Sequence, residues 1–145
     1  MEQQSIHKRR AARRLAMQAL YSWQLNGEDV GALIDSFKGD EEYIRVDKQY
    51  FHDLVSGVIK HQQELDEHIE KTVSRTGEQL DQVENAVLRL AAFELMHRHE
   101  TPYKVVVSEA VSLAKKFGAQ DGFKFVNGVL DKLSTELRAF ETSEK

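Results

Sequence analysis

The stretch that decides the fold is Arg9 to Leu25, RRAARRLAMQALYSWQL. Placed on a helix at about 100° per residue with Arg10 as origin, Ala12, Leu15, Ala16, Ala19, Leu20 and Trp23 fall between about 140° and 280°. Arg10, Arg14, Met17 and Tyr21 fall within about 40° of the origin, and Arg13 lies near their edge. One face is a core stripe. The other is a run of guanidinium groups ending in a solvent-facing tyrosine. A helix that only closes a core needs no ring on its polar side. Cations followed by a ring suit a phosphate backbone and an unstacked base.

Outward from that helix, charge is unevenly spread. The net charge is −4, yet the first fourteen residues hold five Lys/Arg against one Glu, so the rest of the chain is more acidic than the sum. A uniformly acidic chain binds nucleic acid poorly. A disordered basic tail is the bland alternative, but here the cations continue onto a helix face. The 145 residues, 41% hydrophobic and 30% charged, suffice for one soluble domain with a real core. No apolar run approaches the ~18 residues of a membrane span. The N-terminus has no signal-peptide hydrophobic region. The absence of cysteine excludes disulfides, a thiol nucleophile and a thiolate zinc site. A cytoplasmic protein is expected.

In chain order, Met1 to Ile6 reads as frayed and His7 to Leu25 as the first helix, ended by Asn26-Gly27. Glu28 to Phe37 is a short second helix, with Val30, Leu33, Ile34 and Phe37 on one face. Gly39 to Ile44 is a loop. Asp47 caps a third helix running to about His61, with Phe51, Leu54, Val55, Val58 and Ile59 inward. Leu65, Ile69 and Val73 mark a fourth helix or a kinked continuation, stopped by Gly77. Glu78 to Arg98 is the longest and most apolar helix, with Leu80, Val83, Val87, Leu90 and Ala91 inward.

Thr101-Pro102 supplies a capping hydroxyl and a proline at the first position of a sixth helix, which Gly118 terminates. Asp121 caps a seventh, with Phe123, Val126, Val129, Leu130, Leu133 and Leu137 inward, and ETSEK is a solvated tail. No alternating strand pattern of useful length occurs. The expected fold is all-α, about seven helices packed as two small helical bundles in one compact domain. Residues 7–76 form the N-terminal half and 77–140 the C-terminal half.

Enzyme signals are nearly absent: there is no Gly-rich phosphate loop, nucleophile elbow or HExxH. The six histidines are scattered; His61 and His68 share a spacing of one helix face, but no carboxylates visibly converge on them, so no metal site is expected. Glu94 falls on an inner stripe, where a carboxylate has to be paired or hydrogen-bonded. No neighbouring base or nucleophile gives it a catalytic role.

The second informative stretch is Asp121 to Lys132, DGFKFVNGVLDK. With Val126 at the centre of the core stripe, Asp121, Lys124 and Gly128 lie opposite, and Phe125 and Asn127 lie on the two flanks. A phenylalanine beside a lysine, off the stripe, resembles the pairing on the first helix. By residue physics alone it is equally a peripheral core residue. Glycine in mid-helix costs up to about 1 kcal/mol, so Gly128 is expected to admit a close neighbour, another helix or an RNA backbone.

The motifs MQALYSWQL (17–25), VENAVLRLAAFEL (83–95), TPYKVVVSEAVSLAKKFG (101–118) and KFVNGVLDKL (124–133) resemble the NusB family of bacterial transcription antitermination factors, across nearly the whole chain. The resemblance implies an all-helical fold of two small bundles and no catalysis or cofactor. It implies pairing with NusE, a small-subunit ribosomal protein, and binding of the boxA element of nascent RNA. That complex would join other Nus factors on RNA polymerase at ribosomal RNA operons.

Carried over residue by residue, the RNA-facing positions would be Arg9, Arg10, Arg13 and Arg14, then Tyr21, Glu84, Asp121, Lys124, Phe125 and Asn127. The NusE-facing surface would involve the helices from Val83 and from Pro102. Asp121 and Glu84 repel phosphate, so they would accept hydrogen bonds from base amino groups. The start is slightly longer than the family pattern, and Gln120-Asp121-Gly122 replaces a more polar link. Two other readings stand beside this one. The first is a protein-interaction module that binds NusE or itself, a homodimer included, without RNA contact. The second is the N-terminal part of an RNA cytosine methyltransferase, for whose catalytic domain the length leaves no room.

Overall fold

The structure is a computed structural model and describes residues 2–74 and 79–143. Among these residues it is all-helical, with eight α-helices, one 3-10 turn and no strand. The helices cluster into two units, Met1–Lys60 and His61–Lys145. The sequence reading places the division near residue 77. The helix Gln62–Val73 instead packs with the helices that follow it. Gly77 as a stop and Glu78 as a start lie outside the described residues.

The first unit holds α1 (Glu2–Asn26), α2 (Val30–Phe37), a 3-10 turn (Glu41–Arg45) and α3 (Lys48–Lys60). The first helix packs on all three other elements, and α2 on α3. Ala12, Leu15, Ala16, Ala19 and Leu20 are buried with Leu33, Phe51, Leu54, Val55 and Val58, as the periodicity requires. Helix α1 begins earlier than expected, at Glu2, because nothing in EQQSIH breaks a helix. It ends as expected, with Gly27 at φ 66° and its N–H on the Trp23 carbonyl. Asp29 caps α2 through the Gly31 and Ala32 amides, and Asp47 Oδ1 caps α3 by accepting from Tyr50 N at 3.0 Å. The expected loop after Gly39 is instead a 3-10 turn, because Asp40 Oδ1 accepts from Glu42 N at 2.8 Å. Met17, expected on the polar face, is only 2% exposed. Three elements cover α1, and its buried arc is wider than the one stripe a wheel reveals.

The second unit holds α4 (Gln62–Val73), α5 (Gln82–His97), α6 (Tyr103–Phe117), α7 (Gly122–Leu137) and α8 (Ala139–Thr142). Helix α5 packs on α4, α6 and α7, and every residue from Ala86 to Leu95 is buried. A helix buried all round reads as the most apolar one, although α1 is longer. Two charged residues inside α5 are partnered. Arg89 grips Asp66 of α4 through two bonds of 2.9 and 2.8 Å, and buried Glu94 is held by further contacts. Asp81 and Glu84 open α5 with a reciprocal capping box.

Four local expectations are corrected here. Pro102 is the N-cap of α6 rather than its first residue, and the buried Thr101 hydroxyl makes no cap bond. Asp121 precedes α7 at φ 68°, a left-handed conformation in which its side chain does not reach the helix amides. Glu141 and Thr142 of the expected tail belong to α8, whose Glu141 bonds back to α6, and residues 144–145 of that tail lie outside the described residues. An added Cβ at Gly128 would meet nothing within 4 Å, so no helix sits there among the described residues. Gly118 stops α6 through a close approach: a Cβ there would lie 2.6 Å from the Ala114 carbonyl oxygen. No helix among the described residues is long and apolar enough to cross a membrane.

Candidate nucleic-acid interface

In the first unit the arginine run divides by its own i, i+4 spacing. Arg9 and Arg13 turn onto α3. The Arg9 guanidinium lies 4.3 Å from the Tyr50 ring centre and 3.8 Å from Asp47 Oδ2. Arg13 is only 5% exposed; it lies 5.4 Å from the same ring and donates to the Tyr50 hydroxyl at 3.4 Å. Tyr50 is thereby clasped by two cations, an arrangement that fixes α1 on α3. The sequence placed Arg13 near the edge of the polar face. Packing against Tyr50, which has no counterpart on the α1 wheel, buries it.

Arg10 and Arg14 face the other way. They line an open groove of about 420 Å3 with Gln4, His7, Lys8, Ala11, Glu42 and Arg45. Arg14 Nη2 pairs with Glu42 Oε2 at 3.4 Å, and both are part exposed, so water screens the pair. Arg45, at the end of the 3-10 turn, is a groove cation the sequence reading missed. Only the packing of that turn against α1 brings it there. Tyr21 is 37% exposed, three turns from Arg10 on the same helix. Its ring is accessible, as expected.

In the second unit Lys124 and Asn127 are exposed and Phe125 is half-buried on α7. Lys124 Nζ lies 3.5 Å from Asp121 Oδ1, and both are exposed. The ring that carries cations is Phe123: Lys115 Nζ lies 4.7 Å and Lys124 Nζ 6.0 Å from its centre. The sequence reading assigned Phe123 to the core and Phe125 to the lysine. Glu84 is placed differently from its expected role. It is 8% exposed, and its Oε1 accepts from Asp81 N at 3.1 Å. Its Oε2 would lie 2.8 Å from a Cβ on Gly122. Gly122 therefore lets the Glu84 carboxylate approach the start of α7, where the helix dipole favours an anion.

Each unit thus carries its own patch of cations with aromatic rings. The cations are Lys8, Arg10, Arg14 and Arg45 in one, and Lys115 and Lys124 in the other. The Tyr21 side chain is exposed and that of Phe125 half-buried.

A family model described as the NusB family matches residues 10–135. The transcription antitermination protein NusB of Alcanivorax borkumensis is 50% identical over 137 residues, covering 94% of this chain and 91% of that protein. A crystal structure of the antitermination factors NusB and NusE in complex with dsRNA superposes with a TM-score of 0.79 at 33% identity, over 88% of this chain and 96% of the other. The solution structure of NusB from Aquifex aeolicus gives a TM-score of 0.75 at 33% identity, over 95% and 93%.

Proposed function

Because this chain belongs to the NusB family, we propose that it is a transcription antitermination factor that binds boxA-type single-stranded nascent RNA together with NusE. The observation that carries this reading is the groove on α1. Arg10 and Arg14 line it with Lys8 and Arg45, while Arg13 is buried on Tyr50 and Arg9 stands over the same ring at the surface. Arginine can hold phosphate bidentately. Tyr21, and Phe125 in the second unit, stack on bases, each worth roughly 1–3 kcal/mol where fully engaged. Asp121 and Asn127 face solvent and supply hydrogen bonds to base edges, and so sequence choice. Arg9, Arg13 and Glu84 act by holding Arg10, Arg14 and the start of α7 in place.

Few cations meet the RNA, so the chain alone binds weakly and NusE tightens binding by adding its own contacts. The pair then joins other Nus factors on cytoplasmic RNA polymerase and promotes transcription through ribosomal RNA operons. The relative solved with NusE holds dsRNA. The stacking role of Tyr21 and Phe125 requires unpaired bases, so the RNA form is part of the test.

That test is a fluorescence-polarisation titration of a boxA-type RNA, its scrambled control and a duplex, with and without NusE. Selective binding of the boxA strand that tightens with NusE is expected. Equal binding of all three RNAs, unchanged by NusE, would reduce the groove to a generic basic patch. No RNA binding with retained NusE binding would leave a protein-interaction module.

A further inference from the structure

The second unit brings together three side chains that spacing along the chain does not connect. His61 is the N-cap of α4, Glu64 lies in the first turn of that helix, and His97 is the last residue of α5. The sequence pairs His61 with His68 by spacing. In the structure His68 Nδ1 instead meets Glu136 Oε1 at 2.8 Å. The His61 and His97 rings stack, with centres 4.2 Å apart and planes 26° from parallel. His97 Nε2 lies 3.3 Å from Glu64 Oε1. One ligand-type atom from each of the three residues lies within 4.8 Å of the other two.

We propose that His61, Glu64 and His97 form a binding site for a divalent transition metal ion, with Zn2+ the ion of best-matched chemistry. Two imidazoles and one carboxylate are a three-ligand set that Zn2+ takes, with water completing a tetrahedron. At bonds of about 2.0–2.2 Å, tetrahedral ligand atoms stand about 3.4 Å apart. The Glu64–His97 edge already has that length. The remaining edges close by rotation of half-exposed side chains, since His97 and Glu64 are 33% and 49% exposed.

Two features argue for a site rather than a chance surface cluster. The His61 side chain makes no cap bond to α4 and stacks on His97 instead. Beneath both rings lies Phe93, buried, with its centre 6.2 Å from His61 and 5.2 Å from His97. That apolar floor restricts the imidazoles to the mouth of the cluster. Hard ions such as Mg2+ prefer all-oxygen shells and are excluded by the two nitrogens. A bound ion would tie the start of α4 to the end of α5 and raise the stability of this unit by linkage. The site shares no residue with the proposed RNA patches, so its test is independent of theirs.

The experiment uses the full chain without a histidine tag. Zn2+ is titrated by calorimetry, and Co2+ serves as a spectroscopic probe. Saturable binding of one ion per chain is expected, with a higher melting temperature and the visible absorption of tetrahedral Co2+. His61→Ala and His97→Ala should each weaken binding at least about tenfold; His7→Ala and His68→Ala should leave it unchanged. Absence of saturable Zn2+ binding in the unmodified chain, or binding that survives the His61→Ala/His97→Ala double change, would overturn the proposal. Should a variant melt early without metal, the unmodified chain decides by NMR. Co2+ should broaden the imidazole signals of His61 and His97 first, and broadening of other histidines first would overturn the assignment.

Discussion

Glu141 Oε2 accepts the backbone N–H of Tyr103 at 2.8 Å, so the first turn of α6 is capped by a side chain 38 residues further on. Pro102, the N-cap, has no side chain able to do this. The other oxygen, Oε1, accepts from Arg138 Nη1 at 2.6 Å. Arg138, buried, donates in turn to the carbonyls of Leu95 at 2.7 Å, Glu94 at 3.1 Å and Arg98 at 3.2 Å. One Arg–Glu pair thus satisfies the carbonyl end of α5 and the amide end of α6.

Glu141→Ala should therefore lower stability at pH 7 by about 1 kcal/mol, the usual cost of a lost N-cap. Its ion-pair share is smaller, because the Glu141 side chain is more than a third exposed. The Tyr103 amide holds the Glu141 carboxyl below its ordinary range against the opposing effect of burial, with help from Arg138 and His99. Stabilisation from a lowered carboxyl is complete above its unfolded pKa of ~4.3 and lost as pH falls through the folded value. Urea denaturation of both proteins should show a difference at pH 7 that shrinks at pH 3. A difference independent of pH would contradict the cap.

Arg138→Met should cost more than Glu141→Ala, because it leaves the Leu95 carbonyl without its donor, at about 1–3 kcal/mol, and strips one of two donors from the Glu94 and Arg98 carbonyls. In a double-mutant cycle the two losses should be less than additive, since they share one bond. Full additivity would mean that Glu141 acts without Arg138.

Two glycines of α7 should respond with opposite signs. At Gly128 an added Cβ meets open space, so Gly128→Ala should raise stability by up to about 1 kcal/mol through helix propensity. At Gly122 a Cβ would meet Glu84 Oε2 at 2.8 Å and displace the carboxylate that closes the capping box of α5. Gly122→Ala should lower the melting temperature, and Glu84→Ala should remove most of that penalty. Equal responses at the two positions would contradict the geometry.

The arginine pairs should separate in the same way. Arg13→Ala removes a buried cation from Tyr50 and should destabilise by about 1–2 kcal/mol. Arg10→Ala, at an exposed position, should cost less stability than Arg13→Ala and should weaken RNA binding. Equal thermal losses would dissolve the division of roles within the run.

Helix positions were readable because burial on one side imposes a three-four spacing on the chain. Phe51, Leu54, Val55 and Val58 show it, and Asp47 caps where its spacing placed it. What escaped the sequence was whatever a second element decides. Met17 and Arg13 look solvent-facing on a wheel and are covered by neighbouring elements. Arg45 joins the groove only because a 3-10 turn packs on α1. Glu141 lies in a stretch with the composition of a tail, and its partner is 38 positions away. The left-handed Asp121 carries no local signature, since aspartate serves both as cap and as a tolerated left-handed residue.

The most direct test is the salt dependence of boxA-type RNA binding, in the presence of NusE, for the unmodified chain and for Arg10→Ala/Arg14→Ala. If the groove holds phosphates, the slope of log Kd against log salt falls by about 0.7 for each contact removed from a single strand. An unchanged slope in a folded double variant would contradict the account, and the RNA would have to be held elsewhere.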